Sequence, residues 1–200
     1  MANIPHSEFL STNNLSQVFN NTTATYKFYW FQSILQMHNE ENAYRINVWD
    51  IVIRMVANAW DTVHYFRLYF GSMDSLHKIV TELQWITNLP MDAKREDIIL
   101  CLSNCMDNKD VKKQLYTLTV NVPYRFLSPW INYTSDNDVI VRSHTYENGC
   151  LYSIQKDFDR NPCGLSYAAA HWLRLIYFTP ATNWHSDIFY LHLKQTKDVL

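Results

Sequence analysis

Few residues in this chain have types and spacing suited to chemistry. Asp50 and Arg54 stand one helical turn apart, so a carboxylate and a guanidinium could in principle share a substrate. Such an i, i+4 pair is ordinarily local support for a helix, worth about 0.2–0.5 kcal/mol, and that reading is preferred. His185, Asp187 and His192 could gather around a divalent ion if the C-terminal segment is helical, because residues seven apart share a face. No fourth ligand accompanies them, which favours surface or interface histidines. Cys101 and Cys105 put two thiols on one helical face, but Cys150 and Cys163 are too widely spaced to complete a zinc site. Buried thiols acting as small hydrophobes are the expectation. Gly71, Gly149 and Gly164 are too scattered for a phosphate loop, and neither a Gly-x-Ser-x-Gly elbow nor a His-Glu-x-x-His helix occurs. The residues therefore imply no catalytic group, no metal and no cofactor, and the chain reads as a non-enzyme.

Charge narrows the choice of partner. With 17 Lys and Arg against 19 Asp and Glu, the net charge of -2 supplies no global field to attract a phosphate backbone. Direct nucleic-acid contact would need a local patch, and the candidates are Lys94, Arg95, Lys109, Lys112 and Lys113. Asp92, Glu96, Asp97, Asp107 and Asp110 are interleaved with them, as on a solvated helix pair.

The elements that must position these groups are mostly helices. Residues from Thr22 to Phe70 carry the densest apolar and aromatic spacing. After a polar Asn20 to Thr23 cluster suited to capping, a helix is expected through Tyr26, Tyr29, Trp30, Phe31, Ile34, Leu35 and Met37. A second follows with Asn47 as its cap and Asp50 in its first turn. Its Val48, Ile51, Val52, Met55, Val56 and Ala59 lie on one stripe. Trp49, Ile53 and Trp60 fall off that stripe, so further layers must cover them. Hydrophobic content of 48% can build a core in 200 residues, and only 3 Gly and 6 Pro leave little material for the turns of a sandwich or barrel.

Val63 to Phe70 should continue as helix or tight extension up to Gly71, with Ser72 capping a third helix and Asp92 opening a fourth. Val111, Leu115 and Leu118 mark a fifth. Two prolines make Asn121 to Trp130 a buried aromatic connector. Val139 to Val141 fits a short strand or a helix. Turn formers from Asp157 to Gly164 divide a helical domain, residues 1–155, from a C-terminal helical segment, residues 156–200. That segment holds an expected helix over Ala168–Phe178 and a last one rich in large apolar groups. Trp172, Tyr177, Phe178, Trp184, Ile188, Phe189 and Tyr190 are its candidate partner-interface residues. The fold expected is mainly α, a compact multi-helix domain with an aromatic core and little or no β. No stretch approaches the ~20 apolar residues of a membrane span and no signal peptide opens the chain, so a cytoplasmic location is expected.

Three blocks carry a likeness: Thr22 to Phe31, Val48 to Trp60, and Asn121 to Trp130. Over residues 5–155 they resemble the N-terminal, non-catalytic region of bacterial HNH endonuclease-domain proteins. In that family a ββα-metal nuclease lies downstream, and there this chain departs, having no Asp-His, Glu-His or His-His pair to begin such a motif. No catalytic residue carries over. A relative that keeps the helical region without the nuclease is similar to the pro-CRISPR accessory proteins encoded beside some type II-C effectors. That resemblance implies a homodimer that binds an RNA-guided nuclease effector, meets nucleic acid mainly through that partner, and promotes DNA binding and cleavage in antiphage defence. The alternative it leaves is a metal-dependent nuclease, or a DNA-binding remnant of one.

Overall fold

The computed structural model describes residues 13–20, 24–41, 45–72, 74–144, 150–156 and 174–177. Among these the architecture is mainly α. In chain order it comprises α1 (Asn13–Val18), α2 (Tyr26–Glu41), β1 (Arg45–Asn47), α3 (Val48–His64), α4 (Leu76–Thr87) and α5 (Arg95–Asn104). There follow α6 (Lys109–Thr119), α7 (Val122–Arg125), α8 (Asp136–Ser143), β2 (Ser153–Lys156) and β3 (Arg174–Tyr177). No described helix is long and apolar enough to cross a membrane.

Helix α3 is the axis of the molecule. Asn47 caps it as its sequence predicts, its side-chain oxygen accepting from the Trp49 N–H at 2.9 Å. Both the stripe residues and the off-stripe Trp49, Ile53 and Trp60 are buried. Helices α2, α4, α5 and α6 pack against it and supply the extra cover that its broad apolar face needs. The Trp60 indole N–H is satisfied by the Pro90 and Met91 carbonyls at 3.2 and 3.1 Å, which ties the α4–α5 turn to the axis. Asn58 donates to Gln36 on α2 at 2.8 Å and to Ser33 at 3.2 Å.

Helix starts differ from the sequence expectation because distant groups supply the caps. One buried carboxylate, Asp74, serves two helices. Its Oδ2 accepts from the Thr25 N–H and hydroxyl, each at 2.6 Å, and its Oδ1 accepts from the Leu76 N–H at 2.8 Å. Ser75, not Ser72, precedes α4, and its N–H and hydroxyl bond the Tyr26 phenol. Asp74 thus does for α2 what the Asn20 to Thr23 cluster was expected to do, from a point 49 residues further on. Helix α5 opens at Arg95, three residues beyond the expected Asp92.

The connector from Asn121 is buried as expected, through Val122, Pro123, Tyr124, Phe126 and Leu127, and it includes one helical turn with Pro123 at its start. Tyr152, fully enclosed, joins it to α2: the Trp30 indole donates to the Tyr152 hydroxyl at 3.1 Å, and that hydroxyl donates to the Pro123 carbonyl at 2.7 Å. Around them the rings of Phe31, Phe126 and Tyr152 stack in sequence, at 5.7 and 6.1 Å between centroids. Burial holds the Tyr152 phenol well above its usual range.

Val139 to Val141 lie in α8, so the helical option holds there. The helix expected over residues 168–178 does not persist through Arg174–Tyr177, which form β3. In the antiparallel order β1-β3-β2, Ile176 faces Ile46 on one side and Ile154 on the other. A short apolar run has no periodicity that separates strand from helix, and here the open edges of β1 and β2 decide. Helix α8 covers the far edge of β2: Ser143 Oγ accepts from the Ile154 N–H at 3.0 Å and His144 Nε2 meets the Ile154 carbonyl at 2.9 Å.

Two substitutions separate these ties. Tyr152→Phe keeps the ring but strands the Trp30 N–H and the Pro123 carbonyl, and is expected to cost about 1–3 kcal/mol in urea unfolding. Asp74→Ala, which frees two backbone N–H groups at buried helix starts, is expected to cost about 2–4 kcal/mol. A loss below about 0.5 kcal/mol in either would show that the bond is not holding the helices.

Candidate functional site

Helix α3 ends at His64, and the next residues leave the core. The Tyr65 and Phe66 N–H groups both bond the Asp61 carbonyl at 2.9 Å, and the Leu68 N–H bonds that of Thr62 at 3.0 Å. These bonds wind the chain off the helix end into a turn that places Arg67 at φ 51°, a left-handed value uncommon for a residue with a side chain. Gly71, at φ 93°, completes the reversal into α4, where glycine alone is at ease. Phe70 and His77 anchor the far end: the Phe70 ring lies 5.7 Å from that of Tyr29 and 6.2 Å from His77.

Between the anchors, four large side chains face water. Tyr65 is 75% exposed, Phe66 62%, Leu68 55% and Tyr69 70%, with exposed Arg67 among them. The rings are not loose. Tyr65 and Phe66 meet edge to face at 5.0 Å, and Tyr69 meets His77 at 5.7 Å in the same manner. Beneath them His64 packs 4.7 Å from the Trp60 ring, with its imidazole held below the usual range by burial and then by the neighbouring charge of His77. Other exposed large apolar groups, such as Trp85, Leu100 and Val141, sit on separate helices. The loop from Tyr65 to Tyr69 is a clustered, backbone-ordered apolar surface, and it is the candidate site. Sequence reasoning missed it. A signal was present, since five apolar side chains in the six residues from Tyr65 to Phe70 cannot all face the core from one helix or one strand face.

The interface candidates chosen from sequence lie elsewhere. Trp172, Phe178, Trp184, Ile188, Phe189 and Tyr190 are outside the described residues, as are His185, Asp187, His192 and Cys163. Tyr177 is in β3, its backbone opposite Arg45 and Ser153.

The basic candidates are placed at two ends of α5. Lys94 precedes that helix and Arg95 begins it, while Lys109, Lys112 and Lys113 lie on α6, beyond the far end of α5. Arg95 is engaged within the protein: its Nη2 bonds both carboxylate oxygens of Glu40 at 3.1 Å, and Arg54 bonds the same carboxylate at 3.0 Å. Lys112 lies 5.8 Å from the centre of the Trp49 ring. Lys112 and Arg95 are thus turned to different partners, Trp49 and Glu40. Lys94, Lys109 and Lys113 are exposed.

Cys101 and Cys105 are half-buried free thiols at the end of α5, and Cys150 is a buried one whose pKa burial pushes up to about 12. Among the described residues no group of three or more His, Cys, Asp or Glu gathers as a metal site. No protein family, curated protein or solved structure matches the chain.

The Glu40 triad yields a pH test. Burial by itself pushes the Glu40 carboxyl up, but the hydrogen bond and charge of Arg95, followed by those of Arg54, outweigh it and hold the group below its usual range. A depressed folded-state value means stabilisation that is complete above the unfolded-state pKa and lost as pH falls through the folded one. Glu40 is 43% exposed, so Glu40→Gln is expected to cost under about 1 kcal/mol at neutral pH. That gap should start to shrink as pH falls into the ordinary glutamate range and vanish only below the lowered folded-state value. Paired denaturation curves at both pH values check it, and a gap that widens in acid would contradict the assignment.

Proposed function

We propose that this chain is a non-enzymatic accessory protein that forms a homodimer and docks on a nuclease effector, an RNA-guided DNA endonuclease of the type II CRISPR class, through exposed aromatic surface. The observation that carries the docking is the ordered Tyr65–Tyr69 loop, where rings and an arginine face water on a backbone fixed by hydrogen bonds. Tyr and Arg are favoured at protein interface hot spots, and rings already held in place lose little freedom on binding. The choice of partner rests on the resemblance of the three sequence blocks to HNH endonuclease-domain proteins. In this reading nucleic acid is met mainly through the effector, since acidic residues are interleaved with the basic ones and Arg95 is bound to Glu40.

Light scattering on the purified protein, followed by titration into the effector–guide complex, tests both parts. Dimeric mass and saturable binding are expected. The triple variant Tyr65→Ala, Phe66→Ala, Tyr69→Ala should keep its melting temperature and bind at least about 100-fold more weakly, since each truncated hot-spot ring costs about 1–3 kcal/mol. A monomer that binds no effector sinks the reading, and full affinity in the triple variant removes the loop from it.

A further inference from the structure

Arg67 stands in the middle of the Tyr65–Tyr69 loop, and its side chain makes no bond that holds the fold. It is exposed, and among the described residues no carboxylate pairs with it and no acceptor bonds it. Asp61, an exposed acid in the last turn of α3, meets the loop through its backbone carbonyl, which takes the Tyr65 and Phe66 N–H groups. The backbone at Arg67 is left-handed, at φ 51°, a conformation that glycine adopts freely and that a Cβ makes costly. Glycine would suit the turn better, so the guanidinium is kept at this point against a local cost that nothing within the described fold offsets.

A partner that covers Tyr65, Phe66, Leu68 and Tyr69 also covers the guanidinium between them. A cation taken out of water without an acceptor costs more than the apolar contact beside it returns, so the covering surface must bring an anion to this point. A nucleic-acid backbone presents a row of phosphates and is held by several cations together. Arg67 is the one basic residue from Tyr65 to Gly71, and large apolar groups flank it on both sides. Such a setting fits a single carboxylate in an apolar protein surface, which a guanidinium takes through two parallel N–H···O bonds. We propose that the partner of this loop is a protein surface carrying an Asp or Glu carboxylate within an apolar depression and paired to Arg67, a pairing that rests on the loop being the docking surface. The flanking side chains exclude water from the ion pair. The pair then selects which surface is accepted, because a partner with a cation at that point is refused.

Panning a random peptide library, displayed on phage, against the immobilised full chain tests this without the effector. Enriched peptides should carry an Asp or Glu flanked by large apolar residues, and panning on Arg67→Glu should enrich Lys or Arg in its place. A synthetic peptide of the enriched sequence should bind Arg67→Ala at least about tenfold more weakly than the parent, with Arg67→Lys recovering only part of the loss, because an ammonium lacks the planar fork. Arg67→Gly separates recognition from structure: its urea midpoint should equal or exceed the parent's while peptide binding falls as in Arg67→Ala. Arg67→Glu should keep the parent's mass in light scattering. If acidic peptides are enriched but the effector–guide complex does not bind, the effector is the wrong partner and the carboxylate pairing stands. Five results would overturn the pairing: no enrichment, enriched peptides without an acid, equal peptide binding by Arg67→Ala, a changed mass in Arg67→Glu, or binding of a single-stranded DNA oligonucleotide that Arg67→Ala weakens. The last two would make a second copy or a nucleic acid the occupant.

Discussion

A helix that is apolar over well more than half of its circumference must be covered by several neighbours at once, and α3, whose one polar stripe is Asp50, Arg54, Asn58 and Asp61, imposes that requirement on the chain. Its buried residues, from Ile51 through Val48 and Ile53 to Ala57, occupy about two thirds of the circle around the helix axis. Covering that broad face brings α2, α4, α5 and α6 all against α3. Ala57 and Ala59 leave room for close approach, while Trp49 and Trp60 fill the wider gaps. The covering elements have little freedom of arrangement, because each must meet a specific set of large side chains.

Rings fill this core, and their polar atoms fix its register. Trp60 addresses two carbonyls of the α4–α5 turn, Tyr152 bridges Trp30 and Pro123, and Tyr26 meets Ser75. Area burial alone tolerates sliding and repacking, but a buried N–H or O–H left without its partner costs about 1–3 kcal/mol. The Trp30–Tyr152 bond joins residues 122 apart in sequence, so the helical part and the segment leading into β2 must be in place together. Long-range closure of this kind cannot form early in folding, because the loop entropy must be met before the bond compensates it.

The same distinction explains what could be read in advance. Periodicity within one segment marked α3, its Asn47 cap, the buried stripe of α6 and the enclosed connector, because each depends on neighbours within a few residues. The caps of α2 and α4 were not legible, since Asp74 acts on Thr25 across 49 residues. Strand β1 spans three residues and β2 and β3 four each, too short for alternation to register, and their pairing is a property of the assembled fold. Arg95 read as a surface cation, yet it folds back on Glu40, a choice made by where α2 ends. At the candidate site, aromatic residues in the run after α3 read as more core, and only the turn at Arg67 directs them outward.

Magnitudes limit what that loop can do unaided. If Tyr65, Phe66, Leu68 and Tyr69 lost together roughly 400 Å² of apolar surface to a partner, the gross gain at about 25 cal/mol per Å² would be about 10 kcal/mol. Association costs about 4–15 kcal/mol in lost overall motion before any side chain is ordered, so one loop on its own gives weak attachment at best. A specific interface ordinarily buries about 800 Å² on each partner, twice this patch. A docking loop of this size would therefore have to act as an anchor within a larger contact or as one of two. Two copies presented on a dimer would bind the second loop at the effective concentration set by the first, raising affinity by about 10²–10⁴ with no new contact. Dimerisation and aromatic docking are in this sense one proposal, because the patch is too small to hold a large partner without help.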